Sequence, residues 1–364
     1  MKVRDIIEII ESFAPLGIQE SWDNSGLIIG EPESDVSGVL LSLDITEAIL
    51  DEAESVGCNM IISHHPMVFK GVKKFSGTDM VSRLIRRAIM EHFIIYSAHT
   101  NLDQVQDGVS GAIAERMGLL ETRILVPRKD DLIKLVTFIP DGYFEIVSAA
   151  IFKAGAGNIG KYDSCGFSTH GTGSFRAGQG AKPFAGHLGE VHNEPEKRFE
   201  TVFPKHLLRS IISALIEAHP YEEVAYDLYP ILNDNPAYGL GVVGHLPKAL
   251  PEIEFLQAVK DLFGAGCIRH TSLLDKKVSR VAVCGGSGSE FLGDAIRAGA
   301  DVFITSDVKY HQFFNTEGKI LLLDIGHYES EQVSLRIFNN LFLKKMTNFA
   351  VHLSKISTNP INYF

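Results

Sequence analysis

The clearest α/β pattern in the chain is GVLLSLDITEAILDEAESVGCNMIISHH (residues 38–65). Two apolar runs predict short buried strands, and the segment between them (45–57) has helical spacing and ends at Gly57. Segments 83–92 and 93–98 then repeat the alternation of helix and strand. Strands that alternate with helices indicate a mainly parallel sheet that is buried on both faces.

The last third of the chain repeats this pattern. The matching segments are 52–65 with 294–307, 94–104 with 321–332, and 25–30 with 238–244. Coincidence is an alternative explanation, because any two β-α-β units share such an alternation. A histidine followed four residues later by a carboxylate occurs in both copies, which favours a duplication. The sequence therefore predicts an α/β fold whose duplicated core consists of two similar β-α-β lobes.

Between the two copies, the chain has a different order of elements. We predict a strand at 132–140, a helix at 143–155, a Gly/Ser-rich span, a strand at 198–204, a helix at 206–219 and a strand at 224–230. We interpret this segment as a ferredoxin-like α+β insert, which has the order strand-helix-strand-strand-helix-strand. The expected domains are a first core lobe at 1–129, the insert at 130–235, a second core lobe at 236–346 and a C-terminal tail without a clear period at 347–364.

Composition excludes several classes of protein. The 364 residues are 45% hydrophobic and 22% charged, which is ordinary for globular proteins, and the net charge of −11 argues against general nucleic-acid binding. Four cysteines without a C-x-x-C motif argue against a disulfide framework or a thiolate zinc site. The N-terminal segment predicts an amphipathic helix, and no apolar run reaches the roughly 18 residues of a membrane span. We expect a cytoplasmic protein with no membrane partner.

The sequence Ser63-His64-His65-Pro66 lies where a predicted strand ends. Ligands bind at the carboxyl ends of strands in open α/β sheets, and imidazoles are frequent metal ligands. Because consecutive side chains diverge, His64 and His65 are better suited to two neighbouring ions than to one. A histidine pair that only caps a strand or lies on the surface is the alternative interpretation.

Two further histidines each precede a carboxylate by four residues: His99 with Asp103, and His327 with Glu331. This spacing places both side chains of a pair on one face of a helical turn, so both can point at one ion. For His99, hydrogen bonding to a ligand residue is an equal alternative to direct ligation. Nitrogen and carboxylate donors favour Zn, Mn, Fe or Ni over Ca or Mg, and we expect two divalent ions per chain, with Zn as the first choice.

Two other segments near these residues invite a functional interpretation. Lys70, Lys73 and Lys74 precede three arginines, Arg83, Arg86 and Arg87, and would suit a substrate phosphate, although a solvated helix face explains the same pattern. The glycine-rich turn 285–288 joins a strand to a helix, but it lacks the third glycine of a dinucleotide motif and the lysine of a P-loop. We interpret it as a tight turn that lines the site.

Together these motifs resemble the NIF-three-like family, whose members are often labelled type 2 GTP cyclohydrolase I homologues. The resemblance is carried by ESWDNSGL (20–27), SHHP (63–66), HTNLD (99–103), GGSG (285–288) and GHYESE (326–331). It implies a two-metal centre whose ligands are His64, His65, Asp103, His327 and Glu331, with His99 beside them.

The insert resembles the PII/CutA-like domain of the longer bacterial members, most clearly at HPYEE (219–223). The same resemblance implies that the chain assembles with itself into a toroidal homohexamer.

Three functional hypotheses follow from these motifs. The first is a metal-dependent hydrolase that acts on a nucleotide-like small molecule, of which the opening of the guanine ring of GTP is one example. The second is a metal- or metabolite-responsive regulatory protein that binds without turnover. A protein-interaction adaptor whose metals only hold the fold is a third hypothesis.

Overall fold

Three β-sheets form the framework of the protein, for which the computed structural model describes residues 1–346 and 348–364. Thr347, where the predicted C-terminal tail begins, lies outside the described residues. The chain forms two compact units, one made of Met1–Val126 with Tyr238–Phe364 and the other of Pro127–Ala237. The fold is therefore mixed α/β with several sheets.

The N-terminal part of the first unit alternates helices and short strands. Its elements are α1 (Val3–Phe13), β1 (Gly26–Ile29), β2 (Val39–Ser42), α2 (Glu47–Ser55), β3 (Met60–Ser63), α3 (Met80–Met90), β4 (Ile94–Ser97), α4 (Thr100–Asp103), α5 (Val109–Arg116) and β5 (Leu120–Arg128). Side chains cap the N-termini of α2 and α3. Thr46 accepts a hydrogen bond from the backbone N–H of Ile49, and Asp79 accepts one from the backbone N–H of Ser82.

The second unit has its own sheet and its own core. Its elements are β6 (Leu132–Pro140), α6 (Phe144–Lys153), β7 (Gly166–Arg176), β8 (Val191–Pro204), α7 (Leu208–Ala218) and β9 (Tyr226–Pro230). The strands are antiparallel and lie in the order β7-β8-β6-β9. Leu135 and Phe199 of the sheet form one apolar cluster with Ile151 of α6 and Ile211 of α7.

The C-terminal part returns to the first unit. Its elements are β10 (Asn235–Pro251), α8 (Glu252–Phe263), β11 (Arg269–His270), β12 (Lys277–Ser287), α9 (Leu292–Arg297), β13 (Val302–Ser306), β14 (Leu321–Asp324), α10 (His327–Glu331), α11 (Val333–Lys345) and β15 (Val351–Leu353). None of the helices in the described part of the chain is long and apolar enough to cross a membrane.

The two sheets of the first unit have the orders β1-β4-β3-β2-β15 and β11-β14-β13-β12-β10-β5. Strands β2, β3 and β4 are parallel in the first sheet, as β12, β13 and β14 are in the second. The edges differ, because β1 pairs with β4 whereas β10 pairs with β12. The matched segments 25–30 and 238–244 thus occupy different places, since a short apolar, glycine-containing segment specifies a strand but not its neighbour.

Both faces of these sheets are buried. In β2, Val39 and Leu41 point into a large core that also contains residues of the second sheet and of α1, α5, α8 and α11, while Leu40 points to α2 and α3 on the other face. Strand β13 alternates in the same way, with Phe303 facing α9. This two-residue period explains why the strands are continuous apolar runs in the sequence.

The C-terminal segment, predicted as a tail without a clear period, packs against the first sheet. Strand β15 pairs in parallel with β2 and so belongs to the first sheet. Farther on, Thr358 donates a hydrogen bond to Asp44, 2.5 Å away, and Asn359 donates one to Glu329. A strand of three residues is too short to display a recognisable period, which is why the sequence did not predict it.

Candidate metal centre

The carboxyl ends of the parallel strands of both sheets meet at one site. His64 and His65 directly follow β3, and His327 begins α10 just after β14. The Nε2 atoms of His65 and His327 lie 3.2 Å apart, although 262 positions separate these residues in the chain. The site therefore joins the two halves of the first unit.

Nitrogen and oxygen donors gather there in two sets that share His65. In one set the donor atoms belong to His64, His65 and His99, in the other to His65, His327 and Glu331, and within each set all of them lie within 4.8 Å of one another. Glu331 Oε2 lies 2.8 Å from Nε2 of both His65 and His327. Each set has the donor types and spacing to hold a metal ion.

Asp103 belongs to neither set, but it lies beside them. Its Oδ1 atom is 3.7 Å from His64 Nε2, and Glu331 Oε1 is 3.8 Å from the same nitrogen. All five residues predicted as ligands are thus brought together with His99. Their role as ligands stays a prediction.

Two polar atoms at the centre are buried without a partner. Among the described residues, His64 Nε2 and Asp103 Oδ1 have no hydrogen bond. Each unsatisfied buried polar atom costs about 1–3 kcal/mol, and native structures contain few of them. A cation held by these atoms would remove that cost, so the donor set fits a metal ion.

The other ring nitrogen of each histidine is already bonded to the protein. The Nδ1 pairs are His64 with the Ala98 carbonyl at 2.9 Å, His65 with Asp44 at 2.7 Å, His99 with Asp23 at 2.8 Å and His327 with Asp307 at 2.6 Å. Such bonds fix the ring orientation and direct Nε2 into the site, as is usual for metal-binding histidines.

The three carboxylates that bond the histidine rings, Asp23, Asp44 and Asp307, were not predicted as site residues. Asp44 and Asp307 follow strands β2 and β13, next to the strand ends that carry histidines. Asp307 also stands opposite His65 in the matched segments 52–65 and 294–307. The position of Asp44 and Asp307 just after a strand was the sequence feature that could have identified them as site residues. Asp23 lies in a loop, where it accepts hydrogen bonds from both Thr100 and the His99 ring.

The glycine-rich turn lies against Glu331, in agreement with its interpretation as a turn that lines the site. Gly286 has a φ of +65°, and a Cβ atom on it would lie 2.0 Å from Glu331 Oε1. Its backbone N–H donates to Ser330 Oγ at 2.9 Å. Only glycine combines this backbone conformation with so close an approach of the carboxylate.

Charges at the centre shift the pKa values of two histidines upward. Burial opposes the charged form of His65, but hydrogen bonds to Asp44 and Glu331 outweigh it and raise its pKa to about 9. Burial likewise opposes protonation of His327, yet Asp307 and Glu331 raise its pKa to about 11. Without a metal, both imidazoles are therefore protonated on both nitrogens and positively charged at neutral pH.

The carboxylates are shifted in opposite directions. Burial and repulsion from Glu331 raise the pKa of Asp103 well above its usual value. Burial would also raise the pKa of Glu331, but the charge of His64 and a hydrogen bond from His327 bring it well below the usual value. Burial raises the pKa of the nearby Cys284 thiol, so this cysteine is protonated in the metal-free protein.

We expect metal binding at neutral pH to release protons, and metal affinity to increase as the pH rises toward about 9, the pKa of His65. The physical reason is that a metal ion displaces the Nε2 protons of His65 and His327. Calorimetric titration of Zn²⁺ in two buffers with different ionisation enthalpies measures the number of protons released. Asp44→Asn, which removes one cause of the raised pKa, should release fewer. Heats that do not depend on the buffer would contradict this prediction.

Two exposed aromatic rings lie beside the histidines. The Trp22 ring centroid is 5.9 Å from that of His99, and the Phe69 centroid is 5.7 Å from it. Trp22 is 61% exposed and Phe69 50% exposed. The two rings give this side of the site an exposed apolar wall.

Trp22 is the only tryptophan in the chain, which makes it an internal probe of the centre. We expect Ni²⁺ or Co²⁺ binding to quench its fluorescence strongly, because the ring contacts His99, and Zn²⁺ to change it less. The control is His99→Ala, which should weaken the quenching. Saturable metal binding with unchanged emission would argue against an ion near His99.

Lys70, Lys73 and Lys74 follow Phe69 in an exposed segment. None of these three side chains makes a hydrogen bond or ion pair with another residue in the described ranges. Arg87, in contrast, is paired with Glu47, Asp51 and Glu91, as expected for a solvated helix face. A phosphate-binding role for the lysines stays a prediction.

Comparisons with known proteins agree across the whole chain. The "GTP cyclohydrolase 1 type 2 homolog" of Bacillus subtilis (strain 168) is 38% identical over 365 residues, covering 99% of this chain and 98% of that protein. A crystal structure described as a Bacillus cereus protein related to NIF3 has a TM-score of 0.85 and 35% identity, covering 100% of this chain and 99% of the other. Staphylococcus aureus protein SA1388 has a TM-score of 0.78 and 28% identity, with the same coverage.

The family model Duf34/NIF3 (NGG1p interacting factor 3) matches residues 1–360. This match includes every residue of the candidate metal centre. The chain belongs to the Duf34/NIF3 family.

Proposed function

We propose that this protein is a metal-dependent hydrolase that acts on a nucleotide-like small molecule. The observation that carries the proposal is that the buried atoms His64 Nε2 and Asp103 Oδ1 have no hydrogen bond, beside a Glu331 carboxylate that contacts both His65 and His327. Burial of polar atoms without a partner is costly, and a cation bound between them would remove that cost. The curated relatives' name, "GTP cyclohydrolase 1 type 2 homolog", is in line with this chemistry.

The proposed centre holds two divalent ions, with Zn as the first candidate and Mn, Fe or Ni as alternatives. The two donor sets support a count of two, because they share His65 but differ in their other members. The proposed ligands are His64, His65, Asp103, His327 and Glu331. His99 has the donor position of a ligand and also the bond to Asp23 expected of a well-oriented one.

When bound, such ions supply Lewis acidity for attack of water on carbon or phosphorus. The protein's own residues orient the histidines and offer a surface for the substrate. Asp44 and Asp307 hold His65 and His327 in a fixed orientation, which reduces the reorganisation needed during reaction. Trp22 offers an exposed face for a planar ring.

Lys70, Lys73 and Lys74 would meet a substrate phosphate at the same side of the site. Their ammonium groups are free of partners among the described residues, and they directly follow Phe69, which contacts His99. The proposed substrate therefore combines a planar ring with a phosphate, as a nucleotide does.

For the architecture, we propose a duplicated core interrupted by a ferredoxin-like insert. The shared parallel order β2-β3-β4 and β12-β13-β14 supports duplication. The strand order β7-β8-β6-β9, with α6 and α7 as crossovers, supports the ferredoxin-like arrangement. We further propose a cytoplasmic homohexamer, which light scattering of the purified protein would test.

The second candidate function is a regulatory protein that binds a metal or metabolite without turnover. The favouring observation is that residues 127–237 form a unit with a separate core, which can bind a ligand independently of the metal centre.

The experiment that tests the proposal is a screen of metal-reconstituted protein against GTP, other nucleotides and small phosphorylated or cyclic substrates. We expect turnover that depends on the added metal and that is lost in Glu331→Gln. Protein that binds two ions but turns over no substrate would support the regulatory function instead.

A further inference from the structure

The second unit contains a cavity of about 660 Å³, a size that suits a small metabolite. The β7–β8 hairpin, the segment 177–184 and the loop after α7 enclose it. Its aromatic lining is formed by Phe175, Phe184 and Tyr221, whose ring centroids are 5.9–6.0 Å apart around Tyr221. These three rings line the cavity and form an aromatic cage, and one of them, Phe184, is 46% exposed.

One buried carboxylate lies in this aromatic cage. Glu196 is 6% exposed, and its Oε1 atom accepts a hydrogen bond from the Tyr221 hydroxyl at 2.7 Å. Its Oε2 atom has no hydrogen bond or ion pair to any residue that the structure describes, and it lines the cavity. Glu196 therefore presents a carboxylate oxygen to the cavity, and none of the positive side chains among the described residues is paired with it.

The local sequence makes room for this carboxylate. Glu196 lies opposite Gly171 in the hairpin, and Gly173 is its diagonal neighbour. A Cβ atom on Gly173 would lie 2.1 Å from Glu196 Oε2. Gly173 thus leaves the space that the carboxylate occupies, because a Cβ atom at this position would displace it.

The remaining charges of the lining do not balance Glu196. Arg198 is paired with Glu200, which does not line the cavity, and Arg176 is exposed. Glu222 accepts a hydrogen bond from the Lys182 backbone. The buried charge of the cavity is therefore negative, while its positive groups are at the surface or already neutralised.

We propose that this cavity binds an organic cation, such as a substituted ammonium with an apolar or aromatic body. Aromatic faces attract a cation through their quadrupoles, and this attraction is stronger when the cation leaves water. The Glu196 carboxylate provides the countercharge and an acceptor for any N–H group of the ligand. The Tyr221 hydroxyl orients that carboxylate by its hydrogen bond.

The test uses the whole chain with benzyltrimethylammonium as the probe. Saturation-transfer NMR measures binding of this cation. The controls are its neutral carbon isostere, in which carbon replaces the ammonium nitrogen, and benzoate as an anion. We expect saturable binding of the cation, at least about tenfold weaker binding of the isostere, which is about 1.4 kcal/mol, and no binding of benzoate.

Glu196→Gln should weaken cation binding about tenfold, because it keeps the shape of the side chain and removes the charge. Glu194→Gln is the matched control, since this carboxylate is on the same strand, is paired with His192 and does not line the cavity. Phe184→Ala, at a half-exposed position, should weaken binding without affecting folding, and thermal melting of each variant checks this. Absence of cation binding, equal binding of the isostere, or affinity unchanged by both Glu196→Gln and Phe184→Ala would overturn the proposal.

Discussion

Glu331→Gln is expected to lower the affinity for at least one divalent ion by 10–100-fold or more, the range typical of perturbing even a residue next to a metal ligand. Glu331 is 3% exposed and its carboxylate touches Nε2 of both His65 and His327. Two divalent ions bring four positive charges, and neutral imidazoles offset none of them. Removal of one of the two carboxylates at the centre therefore raises the energy of the bound state directly.

Titration of Zn²⁺ followed by calorimetry, with elemental analysis of the reconstituted protein, measures this effect. Glu329→Gln is the matched control, because Glu329 is on the same short helix and is also buried but belongs to neither donor set. Both variants should remain folded, since the core of the first unit is apolar and independent of these side chains. If Glu331→Gln bound metal as tightly as the parent, Glu331 would not be a ligand.

Local sequence information was sufficient for the parts of the fold that depend on short-range patterns. The predicted helix 45–57 contains α2, and the predicted strand 132–140 coincides with β6. The same holds for the histidines and carboxylates of the centre, because each follows a strand whose apolar residues identify it. Parallel strands carry such residues to one edge of each sheet, whereas the meeting of the two edges depends on how the two sheets pack.

The features that the sequence could not reveal depend on contacts between distant segments. The partners of His65 and His327 are Asp44 and Asp307, and each pair is 20 or 21 residues apart in the chain. Which strand-end aspartate meets which imidazole is decided by strand order and register, which a single sequence does not encode locally. The same reason applies to β15, whose pairing with β2 brings the C-terminal segment to Asp44.

Gly286→Ala is expected to impair metal binding although it changes no ligand. A Cβ atom at this position would lie 2.0 Å from Glu331 Oε1, so the carboxylate has to rotate away from His65 and His327. The backbone, with a φ of +65°, adds a strain of about 1 kcal/mol for any residue other than glycine. We expect a small loss in the free energy of unfolding and a fall in metal affinity of about 10–100-fold.

Gly118→Ala separates these two effects, because Gly118 has a φ of +67° but no atom lies within 4 Å of its Cβ position. Both alanine variants should lose about 1 kcal/mol in the free energy of unfolding, measured by denaturant titration of the metal-free protein. Only Gly286→Ala should also lose metal affinity, since only there does the methyl group meet a proposed ligand, Glu331. Equal metal affinities in the two variants would mean that the position of Glu331 Oε1 does not matter for the ion. In that case the close approach of the glycine turn to Glu331 would serve folding alone.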